Sequence, residues 1–469
     1  MTLRLCTFLL AVTLSAAPLS AQNTASTESI VATVAAKSAN ALALIRVRLH
    51  DEMMTGNVEG LGFCVAADGE KALLITLALD PRINSQTISA IDVVVPGFDG
   101  TLKGKFRSAD PVSGIAFIDV EGPFKWNAIQ FEPTADLSAG KLVASAALLD
   151  ANLGYEPFYG VGYVSSILQI PGRTAFVTGG SLTNVGSPVF NQQGRAIGIV
   201  QQQLPMIQQI VSGDQPRNIA VRSMHESRYF VPVEEFIEVL QDPPAPGKRL
   251  PWIGVLEYAP APKDLLDALN LKQPAVMAVK IDPEGPAARA GLEPKDIIIA
   301  LNGKPLAKMP SPQLAMQRFL HDFIRCKPNS KVSLTVLRMG QRPVVIETTT
   351  LPSPMMHFEA KRVFADELGM LVREKAEMDY IVDSSAAGKL QGLVVVGMLK
   401  DSPAAIAGMR VNDLIARVDD QPVAHVDEFK ARLSRITASN RAVKLTIQRN
   451  DDRLVFTVDP VRPASDAPK

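Results

Sequence analysis

The sequence predicts a mostly β chain of three modules: a strand-rich N-terminal domain and two α+β units that repeat one another. Three observations carry that expectation. Short apolar runs bounded by Gly, Pro, Asn and Asp recur between residues 38 and 200 with little helical periodicity between them, the pattern of an all-β barrel or sandwich. A Pro-Ala-Ala motif and its flanks recur at a fixed distance in the second half. Proline-rich breaks cut the 469 residues into lengths that each suit one domain.

The chain opens on an address. Arg4 gives a positive start, residues 5–17 are almost wholly apolar, and Ser20-Ala21 before Gln22 offers a small-residue cleavage point. Residues 1–21 therefore read as a secretory signal peptide. A membrane span needs about 20 apolar residues, so the run is short for one; a retained N-terminal anchor is the other reading. Cleavage leaves a soluble, exported protein, periplasmic or extracellular. Its cysteines are then Cys64 and Cys326, which fall in different domains, and no bridge is expected between them.

Composition excludes several functions. The 48 Lys+Arg balance 48 Asp+Glu, and no basic run appears, so nucleic acid is not an expected partner. A hydrophobic share of 47% and a charged share of 20% is globular composition, not that of a disordered chain. There are five His and no CxxC pair, and HExxH, P-loop and Rossmann glycine patterns are absent; no metal or cofactor is expected. The acidic pairs Asp419-Asp420 and Asp451-Asp452 read as solvated turn residues.

Strands are expected at 41–49, 62–66, 72–77, 91–95, 114–120, 141–147 and 196–201. Residues 201–227 are polar and read as a loop. A helix is expected over 232–241, with Val233, Phe236, Ile237 and Leu240 on one face. The first domain thus spans 38–241. Asp242-Pro243-Pro244-Ala245-Pro246-Gly247 opens a linker, 242–250; a second break lies near Pro352 and Pro354, and 461–469 is a Pro/Ala/Asp tail.

Between the breaks lies the repeat, at 251–351 and 362–460. Pro286, Ala287, Ala288, Ala290, Gly291, Asp296, Ile298 and Pro305 in the first unit match Pro403, Ala404, Ala405, Ala407, Gly408, Asp413, Ile415 and Pro422 in the second, each pair 117 residues apart. A helical stretch (311–323, 426–437) and a strand (331–338, 442–448) follow in each.

On these residues each unit resembles a PDZ domain of the bacterial HtrA (DegP-like) type. Each also opens with the Φ-Gly-Φ loop such domains use for a ligand's carboxylate: Trp252-Ile253-Gly254-Val255 in the first, Leu368-Gly369-Met370-Leu371, preceded by Glu367, in the second. Successive backbone N–H groups around a Gly form a small anion nest, and the strand that follows offers an edge on which a peptide adds. The resemblance therefore implies binding of peptide segments or protein C-termini at these eight residues.

In the HtrA family a trypsin-like double β-barrel precedes the PDZ domains, so the implied fold is a trypsin-like double β-barrel followed by two α+β PDZ domains. The family frames its Ser-His-Asp set in three local motifs, and all three frames are present here. Gly60-Leu61-Gly62-Phe63-Cys64-Val65 followed by Ile75-Thr76-Leu77-Ala78-Leu79 puts Leu79 at the histidine position. Asp110-Pro111-Val112-Ser113-Gly114-Ile115-Ala116 puts Gly114 at the aspartate position. Thr183-Asn184-Val185-Gly186-Ser187-Pro188 puts Val185 at the nucleophile, with Thr183 where a Gly shapes the oxyanion hole.

Leucine, glycine and valine neither transfer a proton nor attack a carbonyl. Ser181 and Ser187 lie nearby without an evident base. His50, His225, His321, His357 and His425 fall outside the frames. The sequence thus points to a catalytically degenerate member, a pseudoprotease with no catalytic residues. The resemblance adds homo-oligomer formation as a trimer, a role in envelope protein quality control or as a scaffold, and an active relative as a further partner. The alternative is an active endopeptidase of the same family with an unorthodox catalytic set.

Overall fold

The computed structural model describes residues 19–51, 54–80, 85–134, 136–201, 209–210, 217–218, 229–338, 342–383 and 388–460. Most of the expected signal peptide, most of the 201–227 loop and the 461–469 tail lie outside them.

The strand-rich domain forms two closed barrels. The first is built from β1 (Leu42–Asp51), β2 (Met54–Asp68), β3 (Lys71–Thr76), β4 (Ile88–Val94), β5 (Leu102–Ala109) and β6 (Ala116–Glu121), in the order β1-β2-β3-β6-β5-β4. The second uses β7 (Leu142–Leu148), β8 (Pro157–Gln169), β9 (Arg173–Ser181), β10 (Pro188–Phe190) and β11 (Ala196–Gln201). After a small pair, β12 (Gln209–Ile210) with β13 (Arg217–Asn218), strand β14 (Tyr229–Pro232) completes it in the order β10-β11-β14-β9-β8-β7.

Why these strands read as unbroken apolar runs is now clear. Successive side chains of a strand point to opposite faces, and here both faces are buried. Cys64, Leu74 and Ile118 fill the first barrel's interior, while their neighbours Phe63, Ile75 and Phe117 face the junction between the barrels. On β7, Val143 points into the second barrel and Ala144 into the junction.

The junction core also takes Ile30 and Val34 of a long N-terminal helix, α1 (Leu19–Ser38), which packs on β7 and β8. Helix α1 runs through residues 22–37, for which the sequence predicts no element, and across the expected cleavage point. The helix expected over 232–241 is broken. A 3₁₀ turn at Val233–Glu235 is followed by α2 (Ile237–Gln241), because Phe236 between them has φ −142°. Its ring is buried edge-on against Phe131, at 5.7 Å between centroids.

The first repeat unit comprises β15 (Pro251–Trp252), β16 (Val255–Pro260), α3 (Lys263–Ala268), β17 (Val276–Ile281), α4 (Pro286–Arg289), β18 (Ile297–Leu301), β19 (Lys304–Pro305), α5 (Pro312–Phe323), β20 (Lys331–Leu337), β21 (Val344–Thr349) and β22 (Leu351–Pro352). The second comprises β23 (Arg362–Ala365), β24 (Met370–Glu374), α6 (Glu377–Val382), β25 (Leu393–Met398), α7 (Pro403–Ile406), β26 (Leu414–Val418), β27 (Gln421–Pro422), α8 (Val426–Ala438), β28 (Val443–Arg449) and β29 (Asp452–Val458). Among the described residues no helix is long and apolar enough to cross a membrane.

The repeated motif explains itself as a helix with its punctuation. Pro286 and Pro403 stand at the first helical positions of α4 and α7, where a missing N–H costs nothing. Gly291 and Gly408 follow with φ +94° and +90°, the left-handed stop that favours glycine. The Asp then locks the turn. Asp296 accepts the Glu293 N–H at 2.9 Å and two bonds from Arg338 at 2.6 and 2.9 Å; Asp413 accepts the Arg410 N–H at 2.8 Å and two from Arg449 at 2.7 and 2.8 Å. Each Arg also donates to the carbonyl of the stop glycine. These residues build the module and do not line a ligand site.

Candidate functional site

The first catalytic frame lies where β3 ends. Thr76 fixes the turn: its hydroxyl donates to the Leu61 carbonyl at 2.8 Å and accepts the Ala78 N–H at 3.0 Å. Leu79 is 1% exposed and belongs to the first barrel's interior cluster. Leu77, half-buried, packs instead on the junction core.

The second frame is a closed turn. Asp110 accepts from both the N–H and the hydroxyl of Ser113 at 2.8 Å, and its carbonyl takes the Gly114 N–H at 2.9 Å. Gly114 has φ +76°, and a Cβ built there would sit 3.9 Å from Leu77 Cδ2. A carboxylate at this position would combine a left-handed backbone with an apolar neighbour.

The third frame carries the most telling geometry. Thr183 is 1% exposed, and its backbone N–H donates to the Ser145 hydroxyl at 2.7 Å; its own hydroxyl adds a second bond at 2.9 Å. Ser145, from β7, is fully buried. Gly160 permits this approach, since a Cβ there would fall 2.8 Å from the Thr183 nitrogen. The amide at the oxyanion-hole position is therefore already hydrogen-bonded inside the protein. Val185 presents an apolar side chain, 36% exposed. Gly186, at φ +83°, would place a Cβ 3.7 Å from Leu77 Cβ.

The turns at Gly114 and Gly186 thus meet around Leu77, whereas Leu79 lies in the barrel interior. Sequence reasoning missed both Leu77 and Ser145. Ser187 is fully buried with no hydrogen-bond partner for its hydroxyl, and Ser181 lies at the end of β9. His321 pairs with Glu235 and Asp322, His425 with Glu374, and His357 stacks edge-on with Phe358. His225 and the His50 side chain lie outside the described residues.

The two Φ-Gly-Φ loops are built alike. Ile253 and Leu368 accept the N–H of Ala287 and Ala404 at 2.8 and 3.1 Å; Gly254 and Gly369 accept the N–H of Asp282 and Leu399 at 2.7 and 2.9 Å. Gly254 has φ +91° with a would-be Cβ 2.9 Å from Gly285 Cα, and Gly369 has φ +63° with one 2.5 Å from Ser402 Cβ. Neither position admits a side chain.

The strands that leave these loops differ. Val255 starts β16, an edge strand of its sheet, while Trp252 before it turns away to pair with Leu351 on β22. Met370 and Leu371, both buried, start β24, which is paired on both sides, by β25 and by β23. The Ala365 carbonyl at the end of β23 accepts the N–H groups of Leu368 and Gly369 at 3.1 and 2.8 Å.

A third contact region joins the first PDZ-like unit to the second barrel. Arg318 of α5 donates to the Pro171 carbonyl at 2.9 Å, Arg325 to Glu235 at 2.7 Å, and His321 lies 3.3 Å from the same carboxylate. A cavity of about 270 Å³ opens beside them, lined by Ile115, Tyr229, Phe236 and this cluster. Burial pushes Glu235 up and His321 down, but hydrogen bonds outweigh it. His321, the Arg173 N–H and Arg325 hold Glu235 below the usual carboxylate range, and Asp322 and Glu235 hold His321 above the ordinary histidine value.

A raised histidine stabilises the folded form below its unfolded value and loses that contribution as pH rises through the folded one. The expected result is a melting temperature that falls between pH 5.5 and 8.5, with His321→Gln removing part of that fall. Scanning calorimetry of both proteins across the range checks it; superimposable pH profiles would show that the contact carries no titration.

Two six-stranded barrels followed by two modules with Φ-Gly-Φ loops define a trypsin-fold protein of the PDZ-bearing class. The comparisons agree. The PDZ domain family matches residues 278–338 and again 367–459. The chain is 25% identical over 411 residues to a probable periplasmic serine endoprotease DegP-like of Pseudomonas fluorescens, covering 83% of this chain and 76% of the relative. It is 26% identical over 413 residues to the protein so named in Ectopseudomonas mendocina, covering 83% and 77%. Among solved structures, an HtrA-type protease AlgW with tripeptide aligns at 18% identity and a TM-score of 0.49, over 69% of this chain and 97% of that one. The chain carries two PDZ domains behind a double barrel and resembles DegP-like proteins along most of its length.

Proposed function

We propose that this chain is an exported HtrA-like pseudoprotease that binds peptide segments or protein C-termini through its PDZ modules. The observation that carries the reading is the Thr183 amide held by Ser145, in a frame whose nucleophile position is Val185. A hole with one of its donors already engaged and a site without its nucleophile stabilise a tetrahedral intermediate poorly. The Leu79 and Gly114 positions point the same way. Peptide capture rests on the Φ-Gly-Φ loop of the first module and the outer edge of β16, which no strand pairs among the described residues. The relatives' names support export to the periplasm, as does the apolar leader at 1–21. Trimer formation, a quality-control or scaffolding role and pairing with an active relative extend the reading by family resemblance.

The same names favour a second reading, a working serine endopeptidase with an unorthodox catalytic set. One experiment decides. The purified mature chain is incubated with a fluorophosphonate probe beside an active family member. No labelling is expected, and stoichiometric labelling would sink the pseudoprotease reading. In parallel, free-acid peptides are expected to bind better than their C-terminally amidated counterparts.

A further inference from the structure

The second module differs from the first at the one edge where a ligand would add. Strand β23 lies along β24 on the side away from β25, and α8 flanks both. It runs antiparallel to β24 with Arg362 opposite Arg373, Val363 opposite Val372, Phe364 opposite Leu371 and Ala365 opposite Met370. Its last residue therefore reaches the Φ-Gly-Φ loop, the direction that brings a peptide's C-terminus to a carboxylate nest.

Each part of the site is engaged. The nest N–H groups of Leu368 and Gly369 bond the Ala365 carbonyl. Val363 and Ala365, alternate residues on one face, are 6% and 4% exposed and share a core cluster with Val426, Phe429 and Leu433 of α8. The far end is tied as well: the Glu374 N–H donates to the Lys361 carbonyl at 2.8 Å, and Lys361 lies 3.8 Å from Asp427. In the first module, among the described residues, no strand pairs with the outer edge of β16.

We propose that residues 362–365 are a tethered ligand of the second PDZ module. The segment fills the backbone edge, the nest and the apolar alternate positions together, so the module is closed to free C-termini while β23 is seated. The partner it would admit on release is an extended segment with apolar residues at alternate positions and a small one beside the loop. Because β23 is joined to β24 by a four-residue turn, it competes at the high effective concentration of a short link, roughly millimolar or above. The inference rests on the peptide-binding reading above for what the vacated edge does.

The test uses the full mature chain and a labelled free-acid peptide Lys-Arg-Val-Phe-Ala, the sequence that ends at Ala365. Hydrogen exchange read by mass spectrometry follows β16, β24 and β28 with and without peptide. In the wild-type chain, β24 amides are expected to be protected and unchanged by peptide. In the double variant Val363→Asp, Ala365→Asp they exchange at least tenfold faster, while β28 stays protected, and peptide restores their protection. Val363→Ala, which only shortens a buried side chain, gives an intermediate gain. Peptide protection of β24 in the wild-type chain equal to that in the variants overturns the proposal. So does a folded double variant whose β24 never takes peptide, which makes β23 a purely structural strand. Failure of free-acid peptides at β16 instead counts against the functional reading of the first module, so the two failures are read at different strands.

Discussion

The triple variant Leu79→His, Gly114→Asp, Val185→Ser is expected to cleave casein no faster than the wild-type chain. Restoring three residue types does not restore their geometry. Position 79 points into the first barrel's interior, where an imidazole is desolvated, whereas the turns at Gly114 and Gly186 meet around Leu77, which packs on the junction core. An aspartate at 114 must adopt φ near +76°, beside that same leucine. A serine at 185 gains a hydroxyl but no hole, because the Thr183 amide stays on Ser145. Loss of one oxyanion donor alone costs about 10²- to 10³-fold in an intact enzyme, and here the base and its orienter are misplaced as well. A fluorogenic casein assay over hours measures the outcome, with a melting curve to show that the variant is folded. Turnover about 10³-fold above the wild-type background would mean that the cleft is intact.

Asp413→Ala is expected to lower the stability of the second module by about 1–3 kcal/mol, the cost of leaving buried hydrogen-bond donors without their acceptor, because Arg449 itself keeps contact with water. Asp413 is 1% exposed and takes three hydrogen bonds, two of them from Arg449. Its loss takes a partner from the guanidinium, frees the Arg410 N–H and loosens the Arg449 bond that holds the Gly408 carbonyl at 2.9 Å. A domain has only about 5–15 kcal/mol in hand, so the module should unfold at lower urea while the barrels persist. Replacing both partners, Asp413→Leu with Arg449→Met, is expected to recover most of the loss. A single variant with an unshifted urea midpoint would show that the turn holds without its lock.

Much of the architecture was legible because short-range chemistry writes it. Pro286 and Gly291 bracket one helix and Pro403 and Gly408 its copy. Runs such as Leu73-Leu74-Ile75 announce strands buried on both faces. What stayed illegible is non-local or too short to carry a period. Ser145 meets Thr183 across 38 residues, and nothing in either neighbourhood marks the pair. Phe236 interrupts a good helical pattern because its ring is wanted by Phe131. Strand β23 spans Arg362–Ala365, too short for alternation to stand out, and its place in a groove depends on a hairpin that only the folded chain displays. Residues 22–37 read as a stretch after a leader, although Ile30 and Val34 are anchors of the junction core.

Leu79 has one further meaning, on an evolutionary rather than a catalytic scale. Its side chain is part of what holds the first barrel together, so a histidine arising there by chance brings a packing penalty. The same holds for Ser145, whose hydroxyl cannot be lost without breaking its bond from the Thr183 amide. At these two buried positions a step back toward hydrolysis carries its own structural cost. On the pseudoprotease reading proposed above, the packing of the barrels works as a ratchet, setting a structural cost at these positions against any return to hydrolysis.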